Sequence, residues 1–514
     1  MAGFYIIRDN YDKGVWPNKY DLPVFPYEAA LAIQDRFFKD DGQFFYPSFP
    51  NDPDYNDFIF GEGATLPEDI FPDGGPSILP EFFGDHMAVN GIIWPKMTVE
   101  PRNYRLRFLN GCDSRFLVVW FELQVGSPSE LSFLVIGNDQ GLIKPMNKTR
   151  MIIEPGGRYD IVIDFTALRR GSKVIMRNDG GDEPFSGQIP GNQIFNNTHQ
   201  IMAFHVDTEF DVYVQNKAFS AKYHHPNNLV QIRDPNRIRD VGLFEGSDEF
   251  GRLQPLLGTA GPATDAEFNA INWPDDQSKC GSTCQMGSCE PGCGPGMFGN
   301  NGCPADCEGC PYFCAGLVGQ MEGSIAWHSP TTENPVLGDV EEWDIWNLSA
   351  DAHPIHLHLV HFEVISRHNI KYDTAIPLDP TDPDFDPLVD PPFTPAGDGI
   401  YLELQPIVQH TGAIGTGRKI VFPTAGNCDG PDGKCYSETS VTDYPPGFID
   451  ALVEGNRKDT VTALPGQVTK IRARFDKPGR YVWHCHILSH EDHEMMRVLY
   501  VGTGADARAD HENV

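Results

Sequence analysis

Apolar and polar side chains alternate at every second position through many short stretches of the chain. Tyr104-Arg-Leu-Arg-Phe108 and Ile471-Arg-Ala-Arg-Phe475 put apolar residues on one side and arginines on the other. Tyr159-Asp-Ile-Val-Ile-Asp-Phe165 and Lys173-Val-Ile-Met-Arg177 are further short runs rich in β-branched and aromatic residues. A period of two is that of a strand with one buried face. Glycine and proline turns separate the runs, and no long stretch carries helical periodicity. The pattern predicts an all-β chain of antiparallel sandwiches.

One predicted strand carries unusual chemistry. Arg480 to Ile487 follows the turn Asp476-Lys-Pro-Gly479. On a strand, Tyr481, Trp483, Cys485 and Ile487 share one face, and His484 and His486 share the other. Metal on the Cys485 thiolate would lie on one side of the strand, and metal held by the two histidines on the other. A second cluster, His353-Pro-Ile-His356-Leu-His358, lies upstream, and no other His-x-His pair occurs in the sequence.

A blue copper site uses two imidazoles, one thiolate and a weak thioether. Cys485 offers the thiolate, His490 follows five residues on, and Met495 five beyond that. This spacing lets a loop fold back over one metal, with the second imidazole expected from His353 on another strand. The bland alternative is a buried structural cysteine with surface histidines nearby.

These motifs resemble those of multicopper oxidases of the laccase, bacterial spore-coat oxidase and bilirubin oxidase group. His353–Leu359 and Trp483–Asp492 match that group's third and fourth copper motifs. Val89-Asn-Gly-x-x-Trp94-Pro, Val99-Glu-Pro-Arg-x-Tyr-Arg and Arg457-Lys-Asp459-Thr agree as well. The resemblance implies tandem cupredoxin (plastocyanin-like) Greek-key sandwiches. It implies a type 1 copper on His353, Cys485, His490 and Met495. His356 would bind the type 2 copper, and His358, His484 and His486 the type 3 pair. Glu491 matches an acidic residue placed near the oxygen site as a proton donor, its alternative being a solvated carboxylate.

The same resemblance implies that two further His-x-His motifs belong to an N-terminal cupredoxin domain. Met1–Asp9 resembles the last strand of that domain. The expectation is a truncated gene model or transcript, or a split enzyme whose other half is a separate N-terminal domain. One copper per chain and little oxygen reduction by this polypeptide alone would follow.

Net charge is −33, which argues against nucleic acid or anionic membrane as partners. No run of eighteen apolar residues suggests a membrane span. Eight of the twelve cysteines fall between Cys280 and Cys314 among glycines and prolines. That segment reads as a disulfide-stapled insert, with tetrahedral zinc sites as the rival reading. Cys428 and Cys435 read as another local pair, and Cys112 as a free buried thiol. Sequons at Asn147, Asn196 and Asn347, with the cysteines, suggest an extracellular or secretory-pathway glycoprotein, although no signal peptide is evident.

The expected organisation is a remnant of the first domain at 1–19 and a second cupredoxin domain without copper ligands at 20–207. A linker with the Cys-rich insert (280–314) follows at 208–320. The copper-binding third domain then spans 321–503, and a disordered tail 504–514. Pro377–Pro395 reads as an exposed loop of the third domain. His224, His225 and His493 read as solvated, and His86 and His205 as structural. The expected partners are a small reducing substrate (phenol-like or tetrapyrrole) and dioxygen. A mononuclear electron carrier and an inactive fragment are the alternatives.

Overall fold

The computed structural model describes residues 3–10, 12–46, 80–124, 128–207, 232–248, 251–265, 267–273, 319–372, 399–408, 414–423, 428, 434–442, 444 and 447–502. The Cys-rich insert, the Pro377–Pro395 stretch, His224, His225, His410 and the C-terminal tail lie outside the described residues.

The alternating runs are strands. Tyr104–Phe108 lies in Asn103–Asn110, Tyr159–Phe165 begins within Arg158–Asp164, and Lys173–Arg177 lies in Lys173–Asn178. Two sheets pack face to face in the first half. One runs Gly141–Lys148, Phe133–Asn138, Arg158–Asp164, Asn103–Asn110, Glu28–Phe38, His86–Val89. The other runs Arg150–Ile153, Leu117–Leu123, Lys173–Asn178, Gln200–Val206, Lys96–Val99. Their inner faces supply Leu106, Phe108, Ile161 and Ile163 against Val119, Phe121, Met176 and Phe204, all buried. Each such side chain contributes roughly 1.5–3 kcal/mol by leaving water.

The second half is another sandwich. Its small sheet runs Thr460–Ala463, His353–Leu357, Gly479–Cys485, Met496–Val501. Its large sheet contains Leu253–Thr259, Arg237–Ser247, Val340–Asn347, Gln467–Arg474 and Phe362–Asn369 in that order. Ile355, Trp483 and Leu499 from the small sheet meet Trp343, Ile345 and Ile471 from the large one. Phe116, Val118, Ile152 and Phe185 of the first sandwich join this core, so the two halves share an apolar seam.

Three details differ from the sequence expectation. Arg237–Ser247 and Leu253–Thr259, expected as linker, are hydrogen-bonded strands of the second sandwich. The pairing is not purely antiparallel. Glu28–Phe38 runs parallel to Asn103–Asn110, and Arg237–Ser247 parallel to Val340–Asn347, so the chain crosses over within each sandwich. Residues 3–10 form no strand among the described residues, and Tyr5 and Ile7 are exposed.

Asn347 is fully buried, and its side-chain amide donates to the carbonyls of Asp351 and Ala463. A glycan there is incompatible with the fold, whereas Asn147 and Asn196 are exposed. Cys428 and Cys435 form a disulfide, and Cys112 is a free buried thiol. No described helix is long and apolar enough to cross a membrane.

Candidate metal centre

The small sheet of the second sandwich builds the site. Ile355 pairs with Cys485 across the ladder, His356 with His484, and Leu357 with Trp483. Directly paired residues point to the same side of a sheet. The buried side therefore receives His353 and Cys485, and the opposite side receives His356, His358, His484 and His486.

On the buried side three ligand atoms converge. The Cys485 Sγ lies 3.6 Å from His353 Nδ1 and 3.8 Å from His490 Nδ1. The two Nδ1 atoms are 3.3 Å apart. His490 sits on the short helix Leu488–Asp492. The loop beyond folds back: the Met495 amide donates to the His490 carbonyl, and the Cys485 amide to the Met495 carbonyl. Met495 is fully buried. The Ile487 amide donates to the Cys485 sulfur at 3.5 Å, and the far nitrogen of His353, Nε2, lies 2.7 Å from Ser349 Oγ.

Burial sets the charges here. It lowers His353 to about 3 and pushes His490 well below the usual imidazole range, so both rings are neutral ligands. It also pushes the Cys485 thiol well above its usual range, against the Ile487 amide. A soft cation placed between two neutral imidazoles would stabilise the thiolate and reverse that cost. The donor set fits copper.

On the other side four imidazoles form a cluster. His358 Nε2 is 3.1 Å from His484 Nε2. The rings of His356 and His486 are 5.8 Å apart, and those of His484 and His486 5.5 Å. His356 Nδ1 lies 2.7 Å from the Asp459 carbonyl and 3.1 Å from Thr460 Oγ1. His484 Nδ1 lies 2.9 Å from the Cys485 carbonyl and 3.2 Å from Glu491 Oε2. Those contacts hold the Nδ1 protons and leave the Nε2 atoms as ligands. His486 Nδ1 is buried without a hydrogen-bond partner among the described residues. Burial and the neighbouring histidines lower His358 and His486 to about 4. Although burial opposes it, the His484 hydrogen bond holds the Glu491 carboxyl below its usual range. His356, His358 and His484 converge closely enough to hold a metal ion.

All eight sequence-predicted ligands and Glu491 thus lie around one strand. Among the four cluster histidines only His358 is exposed, because the first sandwich covers part of the rest. A cavity of about 890 Å³ opens onto His356 and His486, lined also by Phe45, Phe82, Gly156 and Arg158. His493, expected as solvated, is buried, with Nε2 3.6 Å from Asp248, in the turn that follows Arg237–Ser247.

Sequence reasoning missed the residues that hold the ligands. Asp459 accepts from Arg158 and Gln140 of the first sandwich while its own carbonyl meets His356. The run Arg457-Lys-Asp459-Thr was the signal that could have marked it. For Glu81, whose carboxylate approaches His490, the sequence holds no signal.

A family model described as multicopper oxidase matches residues 315–392 and 429–505. A laccase of Bacillus stratosphericus is 30% identical over 507 residues, covering 97% of this chain and 67% of that protein. A laccase of Bacillus subtilis is 28% identical, covering 97% of this chain and 66% of the relative. The bilirubin oxidase of Albifimbria verrucaria is 25% identical over 81% of this chain and 48% of its own length. Among solved structures, the McoA multicopper oxidase of Aquifex aeolicus has 19% identity and a TM-score of 0.47, covering 94% of this chain and 68% of that one. The chain spans about two thirds of the length of its laccase relatives. By this identity and coverage, together with two copper-type ligand groups on one strand, the chain belongs to the multicopper oxidase family.

Proposed function

We propose that the protein is a laccase-like oxidase in which His353, Cys485, His490 and Met495 hold a type 1 copper. His356 would hold a type 2 copper, and His358, His484 and His486 would take part in a type 3 pair. The observation that carries this reading is the convergence of Cys485 Sγ with two Nδ1 atoms, back to back with the histidine cluster on the same strand. Bound copper supplies one-electron acceptance from a reducing substrate on the Cys485 side and reduction of dioxygen to water on the histidine side.

The chain's own residues do the rest. The peptide His484-Cys485-His486 joins both sites covalently and keeps the path between them short. The hydrophobic core around Ile355, Trp483 and Leu499 excludes water from Cys485. Ser349, Asp459 and Thr460 orient His353 and His356. Glu491, whose Oε2 lies 3.2 Å from His484 Nδ1, would serve as the proton donor near the oxygen site.

Phenol-like or tetrapyrrole donors fit the laccase and bilirubin oxidase likeness. Residues 20–207 and 321–503 correspond to a copper-free and a copper-bearing cupredoxin domain, the latter extended by the strands of 237–259. Export from the cell completes the reading. The reading is tested by oxygen uptake with a phenolic donor on copper-loaded protein: uptake that Cys485→Ser abolishes supports it, and uptake unchanged by that substitution contradicts it.

A second reading, a mononuclear electron carrier, rests on the Cys485 group alone, which is complete without any residue of the cluster side. It differs in transferring electrons to a protein acceptor without consuming oxygen.

A further inference from the structure

Met495 is delivered by a backbone turn that the residue before it does not favour. Glu494 has a φ of +79°, in the left-handed region where a residue other than glycine is strained. Such a turn persists where its surroundings hold it. Here a side chain supplies the hold: the backbone amide of Trp327 donates to Glu494 Oε2 at 2.7 Å. The acceptor is a carboxylate, which makes the bond stronger than one between neutral groups.

Trp327 belongs to a fixed brace. Two residues beyond Met495, the buried Arg497 donates to the carbonyls of Ala326 at 2.9 Å and Pro330 at 2.8 Å. Arg497 also donates to the buried Glu333 carboxylate, which accepts from the Trp483 indole as well. The Tyr500 amide donates to the Glu333 carbonyl. Residues 326–333 therefore grip the chain on both sides of Met495, at Glu494 before it and at Arg497 after it. The amides of His493 and Met495 both return to the His490 carbonyl. The loop is thus short of slack, and a displacement of Glu494 passes to Met495.

We propose that Glu494 is a positioning residue: its carboxylate, held by the Trp327 amide, keeps the left-handed turn that presents Met495 to the metal at Cys485. The proposal rests on the type 1 reading above, in which Met495 is the weak axial ligand. Such a ligand tunes the potential of the site. Without the anchor, residue 494 relaxes towards an ordinary φ and carries the thioether away. A more distant thioether donates less to the cupric state, so the potential rises while the thiolate colour remains.

The test compares parent, Glu494→Ala and Glu494→Gln proteins. Alanine removes the anchor, whereas glutamine keeps an oxygen that accepts from the Trp327 amide. In the metal-free proteins, hydrogen exchange of the Trp327 and Met495 amides should be slow in the parent and in Glu494→Gln. In Glu494→Ala it should be faster by roughly tenfold, the factor expected for loss of one hydrogen bond to a charged group. After cupric loading, Glu494→Ala should stay blue with a raised potential and an altered electron paramagnetic resonance signal, and Glu494→Gln should match the parent. A folded Glu494→Ala protein with the parent potential and signal overturns the proposal. So does a Glu494→Gln protein disturbed as much as Glu494→Ala, which would mark a packing effect. Should Glu494→Ala fail to fold, Glu494→Gly decides, because glycine tolerates the turn but offers no anchor: a potential above the parent supports the proposal, and the parent potential overturns it. A parent protein that never turns blue contradicts the type 1 reading, and the metal-free exchange rates then decide whether Glu494 holds the turn.

Discussion

Gly156 of the first sandwich faces the imidazole of His486 so closely that a Cβ at that position would overlap the ring. Its φ of +75° also lies where side chains other than glycine are strained. The first sandwich therefore shapes the histidine cluster by leaving room for it. Gly156→Ala should displace His486 and cost roughly 1–3 kcal/mol in backbone strain and crowding. Copper held on the histidine side should weaken while the blue absorption of the Cys485 site persists. Copper content measured alongside the visible spectrum checks this; parent-like values for both would show that the ring has freedom to move.

Lys458 locks the two sandwiches together. Its Nζ lies 3.0 Å from Asp139 and 3.1 Å from Glu154, and it donates to the Tyr159 hydroxyl at 2.9 Å. All three partners belong to the first sandwich, and all are nearly fully buried. Lys458→Met would leave the buried Glu154 carboxylate without its paired cation, and Asp139 with only Arg158, 3.7 Å away. Such uncompensated charge costs about 3–5 kcal/mol. Urea unfolding should show that loss, and it should be largely recovered when Asp139→Asn and Glu154→Gln accompany it. A single variant as stable as the parent would mean that the cluster contributes nothing to domain docking.

The parts of this arrangement that were legible in the sequence are those that depend on local spacing. Alternation along Arg480–Ile487 put Cys485 and its flanking histidines on opposite faces, and the ladder to His353–Leu357 bears that out. Arg237–Ser247 read as linker because Gly242 and Gly246 interrupt the apolar alternation. In the sheet, a side chain at Gly246 would run into the Thr416 carbonyl of a neighbouring strand, so the glycine answers to packing rather than to flexibility. His493 read as solvated because its partner, Asp248, lies far back in sequence. Glu81, Gly156 and Asp459 act across the seam between sandwiches, and no periodicity records which distant strand a residue will meet.

Asp113 gives stability a pH dependence. Burial raises its carboxyl to about 6, with the Ser114 hydroxyl opposing the shift. A carboxyl whose value is raised on folding binds a proton more tightly in the native state. Its contribution to stability is therefore present at low pH and lost as pH rises from about 4 through 6. The expected decline is up to about 3 kcal/mol across that window. Asp113→Asn should remove it, so parent and variant stabilities should differ more at pH 7 than at pH 4, with the variant relatively favoured at pH 7. Denaturant midpoints at the two values test this; a difference independent of pH would show that folding does not raise the Asp113 carboxyl.

Cys485 is proposed as a copper thiolate between His353 and His490. The most direct measurement is the visible absorption and electron paramagnetic resonance of the protein after cupric loading, beside Cys485→Ser treated identically. The parent should be blue from thiolate-to-copper charge transfer, with the narrow copper hyperfine splitting of such a site, and the variant should lose both signals while keeping its fold. A parent protein that is folded, oxidised and copper-bound yet colourless, or a Cys485→Ser variant that stays blue, would contradict the assignment.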